Sequence, residues 1–370
     1  MKALSLLIKP ASGNCNMRCG YCFYTDVTEL RAVKNYGFMT RDVLETLVQK
    51  ALSEVTEYCA FGFQGGEPTL AGLGFYRNLI EFEKKYNVNN VKLSHTLQTN
   101  GLLLNGEWAA FLRENGFLTG LSVDAYKQAH DDLRPDRAGK GTHNRCMNAA
   151  RLLSKHRADF NILSVVTRPM ASHPEKAYNF YKRGGFRYIQ FIPCIDGFGE
   201  EQAENIYSLS ADKYGEFLCQ IFDLWYDDFI KGEYYSIRIF DNYIQMLAGY
   251  PPESCAMQGV CTPYALVEAD GSVYPCDFYA ADQYFLGNIT ENSFTEMFEG
   301  EKAAEFSKLS RIPDSSCIQC EYRFICRGGC RRDREPVIGG RLSINRYCVA
   351  YKAFFRHALP RMQSIARSIE

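Results

Sequence analysis

The 370-residue sequence has almost no net charge: 42 lysines and arginines stand against 43 acidic residues, leaving a formal −1. That balance excludes the bulk attraction by which nucleic-acid and anionic-membrane proteins gather their partners, so neither is expected. No apolar run approaches the roughly 20 residues that span a bilayer. The stretch Ala3 to Ile8 after Met1-Lys2 is ended by Lys9-Pro10 before a signal-peptide core is complete, and no small-residue cleavage site follows. The protein is therefore expected in the cytoplasm. Six histidines form no close pair with metal-ligand spacing and read as structural or surface residues. Long internal repeats and low-complexity tracts are also missing. Hydrophobic residues at 46% and charged residues at 23% are those of an ordinary globular protein.

Cysteine is plentiful, with fifteen in the chain. A chain of this length builds a core without disulfides, and in a reducing compartment clustered cysteines bind metal. Three lie near the N-terminus as Cys15-x3-Cys19-x2-Cys22, and eight lie between Cys255 and Cys348. Cys59, Cys146, Cys194 and Cys219 are scattered and read as small buried hydrophobes. Three thiolates at the first spacing can hold three irons of a [4Fe–4S] cluster, leaving the fourth iron open for chemistry. Eight cysteines are the count for two fully ligated [4Fe–4S] clusters, although Cys317-x2-Cys320 also has the spacing of a zinc knuckle. With a catalytic-type cluster in the same chain, iron–sulfur is the better reading. Arginines 323, 327, 331, 332 and 334 crowd that stretch, where charge compensation of thiolates accounts for them better than a nucleic-acid patch.

The first two thirds alternate β-like runs with helical patterns. Candidate strands are Leu4–Lys9, Cys59–Gln64, Val91–Gln98, Leu118–Val123, Phe160–Thr167 and Arg187–Pro193. Between them lie amphipathic helices, one with Val43, Leu44, Leu47, Val48, Ala51, Leu52 and Val55 on a single face, another over Tyr214–Lys231. Six βα units imply an α/β fold with a parallel sheet, too few for a closed eight-unit barrel, and a partial (β/α)6 barrel open on one side fits. The pattern changes near residue 236, giving expected domains 1–235 and 236–370. In the second, Asp270-Gly271 between apolar runs signals a hairpin.

Catalytic groups in β/α barrels gather at the C-terminal strand ends. The cysteine triad follows the first strand. Gln64-Gly65-Gly66-Glu67-Pro68 follows the second, where glycines admit close backbone approach and a carboxylate can meet an ammonium. Gln98-Thr99-Asn100-Gly101, Ser122-Val123-Asp124 and Cys194-Ile195 end the third, fourth and sixth. Any one could be a plain turn; aligned at one rim they read as a pocket.

The triad spacing resembles the signature of radical S-adenosylmethionine (SAM) enzymes. The resemblance implies that SAM chelates the open iron and is cleaved to a 5′-deoxyadenosyl radical. It implies further that Tyr21 offers backbone to the adenine, Gly66 approaches the methionyl part, Glu67 belongs to the motif for its amino group, Ser122 and Arg134 bind polar groups, and Ile195 packs near the adenosine. The later cysteines resemble a SPASM domain. That likeness implies one auxiliary cluster on Cys255, Cys261, Cys276 and Cys330, and a second on Cys317, Cys320, Cys326 and Cys348, making three clusters in all. The fourth strand departs from relatives: Asp124-Ala125-Tyr126 stands where Asp-Gly-Pro is common.

Cys22-Phe23-Tyr24, Gln64 to Thr69, Leu97 to Gly101 and Tyr274-Pro275-Cys276-Asp277-Phe278-Tyr279 together resemble the anaerobic sulfatase-maturating enzymes. What this implies is oxidation of a cysteine or serine in a sulfatase polypeptide to Cα-formylglycine. Asp277 would take the thiol or hydroxyl proton, an auxiliary cluster one electron, and a ferredoxin- or flavodoxin-like donor would supply the low-potential electron. Tyr24, Gln64 and Gln98 are candidate substrate residues. A related enzyme that crosslinks or epimerises a ribosomal peptide is the alternative, and a zinc-binding interaction protein the non-catalytic one.

Overall fold

A computed structural model describes residues 1–198 and 205–368. Its strands in chain order are β1 (Ala3–Ile8), β2 (Tyr58–Phe63), β3 (Lys92–Thr99), β4 (Phe117–Ser122), β5 (Phe160–Val166), β6 (Tyr188–Pro193), β7 (Ser236–Ile237), β8 (Ala265–Val267), β9 (Ser272–Tyr274), β10 (Gly287–Asn288), β11 (Val337–Ile338) and β12 (Arg341–Leu342). The six expected strands are all present, each shifted by at most one residue at either end. The chain packs into two compact units. The first comprises residues 1–122, 134–160 and 263–306, and the second comprises 123–133, 161–262 and 307–370. These are units of packing, and the chain passes between them more than once.

In the first unit β1, β2, β3 and β4 run parallel in that order. β1 alternates, with Leu4, Leu6 and Ile8 buried, so one face of the strand meets an apolar layer. Helix Arg41–Glu54 supplies that layer with Leu44, Leu47, Val48, Ala51 and Leu52, five of the seven residues on the face read from the sequence; Val43 is half-buried and Val55 follows the helix as its C-cap. Thr40 caps it, its hydroxyl accepting from the Val43 amide. Helix Leu73–Tyr86 adds Phe75, Tyr76, Leu79 and Phe82, and all of these belong to one core cluster with Trp108, Phe111 and Phe117.

The Asp270-Gly271 hairpin forms, joining β8 to antiparallel β9, with β10 beyond it. Gly271 takes φ +89°, a conformation glycine adopts without penalty. What periodicity did not indicate is that β8 extends the main sheet by pairing parallel to β1, with Ile8 opposite Val267. The apolar run 265–267 is too short to reveal its partner.

In the second unit β5, β6 and β7 are parallel. β7 has two residues and no readable period. Helix Ala211–Phe229 packs along helix Cys348–Arg367, and Phe222 meets Phe354 at 5.8 Å between ring centroids. Gly215 allows this approach: a Cβ there would stand 3.1 Å from the Cα of Ala350. At the departure from the common Asp-Gly-Pro turn, Ala125 still adopts φ +47°. The turn is thus kept left-handed with a residue that pays about 1 kcal/mol for it. The Tyr126 ring receives the Lys176 ammonium at 3.7 Å. No helix among the described residues is long and apolar enough to cross a membrane.

Candidate active site

The Cys15–Cys22 loop leaves the end of β1 and folds back beside the end of β2. Burial, the larger effect, and the neighbouring Cys19 and Cys22 thiols push the Cys15 thiol up to about 12. A free thiolate at Cys15 is therefore disfavoured. A metal that displaces the thiol proton reverses that preference. The sulfur of Cys15 accepts from the Met17 amide at 3.4 Å, and Asn100 Nδ2 lies 3.9 Å away. Asn100 also donates to Asn16 at 2.7 Å. Its place in the Gln98-Thr99-Asn100-Gly101 run was the signal for this contact.

Both glycines of Gly65-Gly66 are explained by the protein's own packing. Gly66 sits at φ +55°, and a Cβ there would lie 2.2 Å from the Asn14 carbonyl oxygen. The cysteine loop can cross the turn only because that atom is missing. Gly65, at φ +84°, would bring a Cβ within 2.4 to 2.8 Å of the Lys9 side-chain carbons. By contrast Gly72, at φ +77°, has open space where its Cβ would be. Alanine at either costs backbone energy, but only at Gly65 must Lys9 also move. Gly65→Ala is expected to destabilise by about 2 kcal/mol or more and Gly72→Ala by about 1 kcal/mol. Thermal midpoints of the two variants measured side by side check the difference.

Glu67 is held in the protein's own hydrogen-bond network. Its side chain is buried, and Oε1 accepts from the Thr69 amide at 3.1 Å and from the hydroxyls of Thr69 at 2.5 Å and Thr99 at 2.7 Å. Oε2 accepts from the Asn100 amide at 2.8 Å. Burial lifts the carboxyl above its ordinary range, and these donors pull it back. The carboxylate thus locks the ends of β2 and β3 together beneath the cysteine loop. Arg134 likewise donates to the Tyr21 hydroxyl at 2.8 Å, and both side chains are buried. Ser122 is buried at the end of β4. In the second unit Ile195 follows β6 and is half-buried.

Asp277 begins a short turn directly after Cys276. Its Oδ1 accepts from the Tyr264 hydroxyl at 2.5 Å, and that hydroxyl is also 3.6 Å from the Cys276 sulfur. Its Oδ2 faces Gln64 Nε2 at 3.4 Å and the Tyr24 hydroxyl at 3.5 Å. Gln64 donates to Tyr24 at 2.6 Å. The structure therefore gathers Tyr24, Gln64 and Asp277 from three segments distant in sequence. Gln98, on β3, is half-buried and not in direct hydrogen-bond contact with them in this geometry. Burial, with Asp277 beside them, pushes the hydroxyls of Tyr24 and Tyr264 well above their ordinary range, so both remain neutral donors. Tyr264 was missed in the sequence. Its signal was the hairpin register: with Leu266 opposite Tyr274, continuing the count sets Tyr264 across from Cys276.

Below the carboxylate lie three charged side chains that composition alone did not single out. Lys9 and Arg31 both donate to Glu268 Oε1, each at 2.5 Å, and all three side chains are fully buried. Burial pushes the Lys9 ammonium down against the pull of Glu268. Burial would lift the Glu268 carboxyl, but Lys9 and Arg31 together outweigh it and hold it below its ordinary value.

In the second unit Cys317, Cys320, Cys326 and Cys348 line one cavity, and burial raises Cys326 to about 11, with the other three thiols adding to the rise. Cys330 is raised by burial and Asp333, and also by Cys261 and Cys255. Cys330 is thus influenced by Cys255 and Cys261, and Cys326 by Cys317, Cys320 and Cys348. Among the described residues no three such side chains converge on a single-ion position. Four cysteines around one cavity are the ligand number of a [4Fe–4S] cluster. Arg331, Arg332 and Arg334 are buried, and Arg331 and Arg334 draw the Cys261 thiol back down against burial. Charge compensation is thus seen for Arg331 and Arg334, while Arg323 and Arg327 are exposed.

Residues 10–181 match the Radical SAM superfamily, and residues 259–321 match SPASM, an iron–sulfur cluster-binding domain. With the cysteine groupings above, these define a radical SAM oxidoreductase carrying a cluster-binding second domain. Over 370 residues, covering both chains in full, the sequence is 46% identical to a cysteine-type anaerobic sulfatase-maturating enzyme of Clostridium perfringens. It is 31% identical over 386 residues to a serine-type enzyme of Bacteroides thetaiotaomicron, covering 100% of this chain and 92% of the relative. The structure matches native anSMEcpe with bound AdoMet and Cp18Cys peptide at a TM-score of 0.95 and 45% identity, over 100% of each chain. The chain belongs to the anaerobic sulfatase-maturating enzymes.

Proposed function

We propose that this protein oxidises a cysteine of a sulfatase polypeptide to Cα-formylglycine, with Asp277 as the base. The observation that carries this reading is a buried carboxylate, held by Tyr264 on one oxygen and facing Gln64 and Tyr24 with the other, next to a proposed cluster ligand. Cysteine is favoured over serine because identity is 46% to a cysteine-type enzyme and 31% to a serine-type one.

When bound, SAM and the clusters supply the radical that removes a Cβ hydrogen and the acceptor for one electron. The residues do the rest. Cys15, Cys19 and Cys22 hold the first cluster. Gly66, Tyr21, Ser122 and Arg134 bind SAM through backbone and polar contacts, and Glu67 acts through the turn it braces. Tyr24, Gln64 and Gln98 orient the peptide. Asp277 Oδ2 takes the thiol proton, which leaves a better reductant at carbon, and Tyr264 steadies the carboxylate from the far side. Hydrolysis of the resulting thioaldehyde releases sulfide and gives the aldehyde. The reducing conditions that this chemistry needs suit the cytoplasm, with a low-potential electron-transfer protein as donor.

Matched cysteine and serine peptides of a sulfatase, incubated anaerobically with SAM and a reductant, test the assignment by mass spectrometry. The cysteine peptide is expected to lose about 18 Da and to be converted faster than the serine peptide, which would lose about 2 Da. An unchanged mass, or a loss of about 2 Da from the cysteine peptide, would instead favour epimerisation or crosslinking.

A further inference from the structure

Lys9 follows β1 and Glu268 follows β8. Because Ile8 is paired with Val267, the two side chains start as neighbours at the same sheet end. The Lys9 stem runs across Gly65, so close that no Cβ could stand there. Its ammonium then meets Glu268 Oε1 at 2.5 Å and lies 5.0 Å from the centre of the Tyr24 ring. Arg31, just past the helix Phe23–Glu29 that begins after Cys22, meets the same carboxylate oxygen at 2.5 Å and also donates to the Lys34 carbonyl at 3.1 Å.

Two features set this triad apart from an ordinary buried ion pair. Both cations share Oε1, while Glu268 Oε2 and Arg31 Nε have no hydrogen-bond partner. A triad built for stability alone would engage both oxygens, since a buried polar atom left unmade is costly. Second, two cations on one carboxylate leave surplus positive charge. It lies against the face of Tyr24, whose hydroxyl is held by Gln64 and points to Asp277. A buried cation attracts the negative face of an aromatic ring, and the tilt of that ring decides where its hydroxyl sits.

We propose that Lys9 is a positioning residue for the oxidation, holding the Tyr24 ring, and through it Gln64 and Asp277, in register with the cysteine loop. Glu268 and Arg31 fix Lys9 in turn, so one buried charge cluster keys the segment that carries Cys15, Cys19 and Cys22 to the hairpin that carries Cys276 and Asp277. Lys9 touches neither cysteine nor, in this role, the substrate. The inference rests on the functional reading above.

The test is Lys9→Met in the cluster-loaded enzyme, with two products counted on the cysteine peptide: 5′-deoxyadenosine and formylglycine. A positioning role predicts iron content and 5′-deoxyadenosine within about two-fold of wild type. Formylglycine per 5′-deoxyadenosine should fall about ten-fold or more, because a small displacement of reacting groups costs that much. If the methionine variant does not load its clusters, Lys9→Gln, which keeps a donor toward Glu268, takes its place. A ratio equal to wild type overturns the inference, whether or not both products decline together. So does failure of both variants to load clusters, which would make Lys9 a folding residue. Failure of the underlying function is seen separately, as wild-type enzyme that cleaves SAM and leaves the peptide's mass unchanged.

Discussion

Asp277→Asn is expected to lower formylglycine formation by roughly 10²–10⁴-fold while SAM is still cleaved. The substitution keeps the shape and removes the base. It also disturbs the local hydrogen bonds. Oδ1 accepts from Tyr264, and Oδ2 faces Gln64 Nε2 and the Tyr24 hydroxyl. An asparagine must turn its NH2 toward one of these sides. Facing Gln64, it sets donor against donor; facing Tyr264, it forces that hydroxyl to rotate toward the Cys276 sulfur, 3.6 Å away. Cluster content should not change, because none of the cysteines is altered. Counting 5′-deoxyadenosine and formylglycine in the same reaction checks this. Wild-type formylglycine yield in Asp277→Asn would remove the residue from the proton transfer.

The second large effect is at the triad. Cys15→Ala leaves two of three thiols for the first cluster and is expected to abolish 5′-deoxyadenosine formation. Iron should fall from about 12 to about 8 per chain, because the eight other ligands are untouched. The loss should exceed that of an ordinary buried cysteine: Cys59 is also buried with a thiol raised by burial to about 12, yet lies in the core cluster away from the other thiols. Cys59→Ala should therefore retain the full iron content. Iron and sulfide assays with anaerobically purified variants decide it, and a Cys15→Ala protein that still cleaves SAM would contradict the assignment.

Much of the fold was legible in the sequence. Strand ends came within a residue, because parallel strands between amphipathic helices carry a strong period. The helix faces around Leu44 and Leu47 followed for the same reason. The parts that were not legible involve side chains whose partners lie far along the chain. Glu67 read as part of a motif for an ammonium; that four donors from the Thr69 and Thr99–Asn100 backbone and hydroxyls also meet it is announced by nothing local. Lys9 read as the end of an apolar run. Only the pairing of Ile8 with Val267 reveals that Glu268 stands beside it. Gly65 and Gly66 read as places where backbone can approach a ligand closely; that Lys9 and the Asn14 carbonyl also press on the positions a Cβ would take was not legible. Periodicity reports which face is buried; it does not report which buried charge meets which.

The most direct test of the account uses a sulfatase peptide whose target cysteine carries deuterium at Cβ. After anaerobic turnover with SAM, the account predicts one deuterium in 5′-deoxyadenosine and a formylglycine product from the same peptide. Deuterium-free 5′-deoxyadenosine alongside a converted peptide would contradict it, since the hydrogen would then have come from another position.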